Sequence, residues 1–261
     1  MMTAVFESVV KWRLERLGQR RAGVTLGVVP TMGALHEGHV SLIRRSRAEN
    51  DRTLVSIFVN PTQFDDAADL ESYPQPLDED LALLDAEAAD FVLLPDQRQL
   101  YPDGYRYRVS ETELSKTLEG AHRPGHFDAV LTVVLKLLQI AQAERAYFGE
   151  KDWQQLNLVR GMAEAFFLPT EIIACPTIRE ADGLAISSRN RRLATADRQR
   201  ASAFYRALSS AATPEIASRE LEGAGFIVDY VEDRGARRLG AVRLGKVRLI
   251  DNVPIQSQRG R

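Results

Sequence analysis

The densest chemical pattern in the chain is Pro30-Thr31-Met32-Gly33-Ala34-Leu35-His36-Glu37-Gly38-His39, where an apolar β-branched run gives way to an amphipathic one. Gly33 permits a tight strand-to-helix turn, and Gly38 lets a ligand approach the backbone closely. A helix starting near Gly38 aims its first-turn amides and the positive end of its dipole at an anion. His36 and His39 are spaced i, i+3, so they share a face and can reach one bound ion. The pattern is neither G-x-G-x-x-G nor a P-loop, because no Gly-Lys-Ser/Thr follows. Taken alone, it also suits two surface histidines in a turn.

A second pattern, Gly149-Glu150-Lys151-Asp152-Trp153-Gln154-Gln155, again leads from a strand into a helix. Lys151 is a mobile point charge suited to phosphate. Asp152 fits an N-cap or a ribose hydroxyl, and Gln155 offers both donor and acceptor to a hydroxy acid. The third pattern is the stretch 179–192, READGLAISSRNRR, in which Ser187 and Ser188 adjoin Arg189 and can bind phosphate oxygens by charge-assisted bonds. An exposed basic loop that touches RNA, or plain solvated charge, has the same composition. Four histidines and one cysteine, with Pro124 interrupting the segment between His122 and His126, argue against structural zinc. Cys175 lies between an apolar strand and Pro176 and reads as a buried structural thiol. There is no G-x-S-x-G elbow.

The elements that must position these residues alternate along the chain. Short apolar runs at 25–29, 53–59, 90–94, 145–148 and 171–175 read as strands, and amphipathic segments at 38–50, 78–89, 128–141 and 152–167 as helices. That alternation predicts βαβ units in a parallel sheet with helices on both faces. Such sheets bind ligands outside the carboxyl ends of their strands, which is where all three patterns fall. The segment DAVLTVVLKLLQIA is apolar almost all round and predicts a helix buried on most faces. Beyond about residue 177 the texture changes to a polar helix at 195–212, a second short helix, and two strands at 226–231 and 242–250. Residues 256–261 read as a polar tail that frays.

The composition limits the function classes. With 261 residues, the length prior gives about 1.7 domains. Basic and acidic residues number 34 and 36, for a net charge of −2, which argues against wholesale wrapping of nucleic acid. No apolar run approaches the ~20 residues that span a bilayer. The first twenty-one residues read as an amphipathic helix rather than a secretory signal. A single cysteine suits a reducing cytoplasm.

Together the patterns identify a resemblance. PTMGALHEGHVSLIRR, FVNPTQF, LEGAHRPGHFDAVLTVVLKLLQI, FGEKDWQQL, READGLAISSRNRRL and VRLIDN follow one another as in the pantothenate synthetase (pantoate–β-alanine ligase) family. That family lies within the HxGH nucleotidyltransferase superfamily, which includes class I aminoacyl-tRNA synthetases. The resemblance implies a two-step ligation. The carboxylate of pantoate attacks the α-phosphorus of ATP to give pantoyl adenylate and pyrophosphate, and the amine of β-alanine then displaces AMP to form pantothenate.

The resemblance also implies roles. His36 and His39 contact the triphosphate, with His39 as proton donor, and Met32, Gly33, Ala34, Leu35, Glu37 and Gly38 surround the reacting phosphate. Lys151 neutralises phosphate charge, Asp152 holds the nucleotide, and Gly149 and Glu150 flank them. Ser187, Ser188, Arg189 and Asn190 form a mobile phosphate-gripping loop, and Ile178 and Ile186 line the adenine side. Gln63 and Gln155 hold pantoate, oriented by Asn60 and Tyr73, at the site that also receives β-alanine. Magnesium travels with ATP, near Glu79 and Asp80.

The implied architecture is a Rossmann-like nucleotide- and pantoate-binding domain over residues 1–177 and a small α+β lid domain over 178–261. The implied assembly is a cytoplasmic homodimer with no nucleic-acid or membrane partner. Gln75 stands where the family commonly has arginine, and Ala129 where it commonly has glycine. The rival readings are another nucleotidyltransferase, such as a cytidylyltransferase, or a non-catalytic nucleotide or RNA binder using the 179–192 loop.

Overall fold

The structure is a computed structural model that describes residues 2–65 and 67–255; the polar tail expected at 256–261 lies outside the described residues. Two compact units divide the chain. The first runs to Glu150 and resumes over Gln154–Cys175, while the second takes Lys151–Trp153 and the described residues from Pro176 onward.

The first unit contains β1 (Ala4–Phe6), α1 (Val9–Arg21), β2 (Leu26–Thr31), α2 (Glu37–Glu49), β3 (Arg52–Ile57), α3 (Ala67–Glu71), α4 (Leu77–Ala86), β4 (Phe91–Leu93), α5 (Gln97–Leu100), α6 (Glu119–His122), α7 (His126–Ala141), β5 (Arg145–Gly149), most of α8 (Trp153–Ala165) and β6 (Glu171–Cys175). Its sheet has six strands, all parallel, in the order β1-β4-β3-β2-β5-β6.

Alternate strand residues face opposite layers, as the period of two requires. Leu26, Val28, Leu54 and Leu93 join a core with Trp12 of α1, with Val130, Leu131, Val134 and Leu138 of α7, and with Leu156 and Val159 of α8. Val29, Val55 and Val92 face the other way, into a core with Leu42 and Ile43 of α2 and Leu84 of α4. Helices therefore cover both faces, which is why the central strands are apolar throughout. The apolar helix α7 is core, and its lysine, Lys136, donates to Leu100 O and Asp103 Oδ1.

One expectation fails at the N-terminal end. Residues 4–6 were expected within the first helix, but they form an edge strand parallel to β4, with Ala4 opposite Phe91. Ser8 starts α1 only after that strand, because its Oγ accepts from Lys11 N. Phe6 then packs edge-on against Trp12 and Phe91, at 5.4 and 6.0 Å between ring centroids.

The second unit contains α9 (Thr195–Ser210), α10 (Pro214–Gly223), β7 (Ile227–Arg234), β8 (Arg237–Leu244) and β9 (Val247–Pro254). Phe204 and Leu208 of α9 and Leu221 of α10 pack with Val231, Val242 and Leu249 of the sheet. The sheet is an antiparallel meander of three strands rather than the two expected. The run at 242–250 is split by a two-residue turn whose first position, Gly245, has φ +58°, the conformation tight hairpins ask of glycine.

Candidate active site

Successive connections leave β2 for β3 on one side of the sheet, while β5 lies on its other side. The carboxyl ends of β2 and β5 thus flank the topological switch point, where doubly wound sheets bind ligands. Residues 32–39 follow β2, and Gly149 ends β5 with open space on its Cα.

The turn after β2 is built on positive φ, +78° at Gly33 and +50° at Ala34. The second value is uncommon for a residue with a side chain. Asp80 of α4 holds it there. That carboxylate is 3% exposed and accepts from Ala34 N through Oδ2 (2.8 Å) and from Leu35 N through Oδ1 (2.7 Å). Gly33 N donates to Thr31 Oγ1, which itself donates to Ser56 O. The amides of Gly33, Ala34 and Leu35 are thus engaged within the turn that surrounds this end of β2. The start of α2 follows, whose first turn presents the outward-pointing amides of any helix N-terminus.

Asp80, expected near magnesium, has one turn amide on each of its oxygens. Its neighbour Glu79 gains no companion acids: among the described residues no group of three or more His, Cys, Asp or Glu side chains is placed to hold a metal.

His36 is the N-cap of α2 in extended backbone, and its ring stacks on that of His39 with centroids 4.1 Å apart and planes 25° from parallel. The spacing i, i+3 thus does bring the two imidazoles together. Gly38 has a sharper role than the sequence suggested: a Cβ there would lie 2.9 Å from Cε1 and Nδ1 of His36. Glycine at this position makes room for the histidine ring. Glu37 points outward to Arg44, which also pairs with Glu87.

Gln63 ends a 3-10 turn, Pro61–Gln63, that follows β3. Its Oε1 accepts from Asn60 Nδ2 (3.2 Å), and its Nε2 touches Met32 Sδ (2.7 Å). Asn60 is buried and fixed in turn, because its Oδ1 accepts from Thr62 Oγ1 and Tyr101 OH, each at 2.9 Å. Asn60 thus orients Gln63, while Tyr73 packs edge-on against the adjacent Phe64. Tyr101 was absent from the sequence reading. Arg123 and His126, weighed in the sequence only as part of an unlikely zinc site, approach Gln63 O at 3.1 and 2.9 Å. The Pro124-Gly125 break before a helix was the available signal for that pair.

Gln155 sits half-buried in the first turn of α8. Its neighbour Gln154 is buried and holds the 114–119 loop, donating to Leu114 O and Thr117 O and accepting from Glu119 N.

In the second unit, the 179–192 stretch folds back on itself. Arg179 and Ala185 form a bridge, Ile186 N donates to Ile178 O, and Gly183 turns the chain at φ +94° against the Tyr205 ring. Ile178 and Ile186 are thereby paired. Ser187 caps the turn Ser188–Arg192 by accepting from Arg189 N, and Asn190 Nδ2 donates to Glu180 Oε1 and Ala185 O. Arg198 braces the same loop through Glu180 and Asp182.

Lys151 Nζ lies 3.7 Å from Asp152 Oδ1, and Lys151 O accepts from Asn252 Nδ2 (3.0 Å). Asn252 and Asp251, from the late VRLIDN block, were given no role from the sequence. Asp251 takes both terminal nitrogens of Arg179. Burial pushes its carboxyl above the usual range, with Arg179 opposing.

A doubly wound sheet with paired histidines at a helix N-terminus beside its switch point defines an α/β enzyme of nucleotide chemistry. The chain belongs to the pantoate–β-alanine ligase family, whose model matches residues 4–254. It is 52% identical to the pantothenate synthetase of Bdellovibrio bacteriovorus over 254 residues, 97% of this chain and 100% of that protein. It is 46% identical to the pantothenate synthetase of Coxiella burnetii, over 99% of each. The pantoate–β-alanine ligase of Francisella tularensis, solved with β-γ ATP and β-alanine, superposes with a TM-score of 0.92 at 39% identity, covering 97% of each chain.

Proposed function

We propose that this chain condenses pantoate with β-alanine at the expense of ATP, through a pantoyl adenylate. A carboxylate is a poor acylating group until adenylated. In the first step a pantoate carboxylate oxygen bonds to the α-phosphorus and pyrophosphate leaves. In the second the β-alanine amine attacks the acyl carbon, loses a proton, and AMP departs with the carboxylate oxygen. Transfer of this kind needs positioning and charge neutralisation more than covalent help from the protein.

The observation that carries the reading is the His36–His39 stack at the start of α2, at the carboxyl end of β2. In it, His36 and His39 meet the triphosphate and His39 supplies a proton to the leaving pyrophosphate. Gln63, oriented by Asn60, holds pantoate together with Gln155. In the second unit, Lys151, Ser187, Ser188 and Arg189 bind phosphate oxygens, Asp152 and Asn190 support the nucleotide, and Ile178 and Ile186 face its base. Magnesium enters as MgATP rather than on a site of the protein's own, consistent with Asp80 serving the turn; Mg²⁺ is commonly held through substrate phosphates. A cytoplasmic homodimer is the assembly this reading adopts from the family.

The test is pyrophosphate release that requires pantoate, followed by AMP release that requires β-alanine. Folded protein with magnesium that shows no pantoate-dependent turnover overturns the reading.

A further inference from the structure

The main-chain oxygen of Gln63 receives two donors from the start of α7: His126 Nδ1 at 2.9 Å and Arg123 Nη2 at 3.1 Å. Arg123 Nη1 also lies 3.1 Å from His126 Nε2, and Arg123 Nε donates to Asp65 Oδ1 at 2.8 Å. These contacts leave one arrangement of protons. A carbonyl oxygen only accepts and a guanidinium N–H only donates. His126 must therefore carry its proton on Nδ1 and present a bare Nε2 to Arg123.

Side chains also brace the turn, with Thr62 Oγ1 and Tyr101 OH both donating to Asn60 Oδ1. The turn's own backbone bonds, Gln63 N to Asn60 O and Phe64 N to Pro61 O, are both long at 3.3 Å, and Pro61 has no N–H to give. The side chain of Gln63 is held by Asn60, so the residue is fixed at two points: head by Asn60, backbone by His126 and Arg123.

We infer that His126, as the neutral Nδ1–H imidazole locked between Arg123 and Gln63 O, is a positioning residue for pantoate. It sets where Gln63 presents its amide. The inference rests on the assignment of Gln63 to pantoate made above. The surroundings agree with the neutral form. Burial and the Arg123 cation outweigh the pull of the Gln63 carbonyl, Glu119 and Asp65, and hold His126 down at about 4.

The experiment compares His126→Ala, His126→Asn and Gln63→Ala in the full chain, with pantoate KM, ATP KM and kcat measured separately. Asparagine can place an amide N–H near the position of Nδ1. We expect His126→Ala to raise pantoate KM about tenfold, the scale of one lost hydrogen bond, with ATP KM within about twofold. His126→Asn should recover most of that loss. In ¹⁵N-histidine spectra of the wild-type protein, whose four histidines are assigned by loss of one signal in His126→Asn, His126 should be neutral and Nδ1-protonated at pH 6 and above.

An unchanged pantoate KM in His126→Ala, an equal rise for both substrates, or an Nε2–H tautomer overturns the inference. If Gln63→Ala leaves pantoate KM unchanged, the underlying assignment of Gln63 fails. If Gln63→Ala raises it and neither His126 variant does, only the positioning role fails. Should His126→Ala not fold, His126→Asn and the tautomer measurement still decide.

Discussion

Asp251 receives both terminal nitrogens of Arg179, at 2.6 and 3.0 Å, with its own side chain only 1% exposed. The guanidinium also reaches Gly183 O and Asn252 O and lies over the Tyr205 ring at 4.2 Å. The next residue, Asn252, donates to Lys151 O. One dipeptide within β9 therefore organises both the 179–192 loop and the backbone of Lys151. Removing one member of a buried pair strands the other, at roughly 3–5 kcal/mol. Asp251→Ala should lose stability on that scale in urea denaturation; a loss below ~1 kcal/mol would show the pair to be idle.

Gly38→Ala separates stability from chemistry. Alanine favours the helix by about 1 kcal/mol, yet its Cβ would press on the His36 ring at 2.9 Å. Stability should hold within ~1 kcal/mol of wild type while kcat falls at least about tenfold, the range of general acid–base losses. Unchanged kcat would show that the ring position does not matter.

Asp80→Asn turns an NH₂ toward an amide N–H of Ala34 or Leu35. The loop should loosen, at about 1–3 kcal/mol for a buried group left unsatisfied, and kcat/KM for ATP should drop. The magnesium concentration for half-maximal rate should stay the same. A marked rise in it would return Asp80 to the role of metal ligand.

His126 makes stability depend on pH. Its folded value, about 4, lies below the ordinary histidine value of 6.5, so between them the unfolded chain binds more protons than the folded one. Stability must then rise with pH across that window, and it is lost as pH falls from about 6.5 toward 4. The contribution is at most about 3 kcal/mol, and less to the extent that water reaches the ring. In urea denaturation from pH 4 to 7, His126→Asn should lack this slope. Parallel pH dependence in the two proteins would contradict it.

Much of this was legible in the sequence because the features are local. Apolar strands followed at once by glycine, histidine or lysine mark sheet ends, and His36 and His39 declare a shared face by spacing alone. β1 escaped because three residues are too few to show a period. β8 and β9 merged because apolar residues continue on both sides of Gly245. The bracing roles of Asp80, His126 and Asp251 escaped for a different reason. Each serves backbone far away in the chain, Ala34, Gln63 and, through Arg179, the 179–192 loop, and spacing carries no information about such partners.

The strand order also constrains how the protein can be made. β2 sits between β3 and β5, with Gly27 opposite Arg145. A chain leaving the ribosome exposes its histidine turn long before the second neighbour of β2 exists. Pairing so distant in sequence is slow to form and leaves strand edges exposed while it waits. For this sheet, the risk of misassembly during synthesis falls on the strand that leads into the paired histidines.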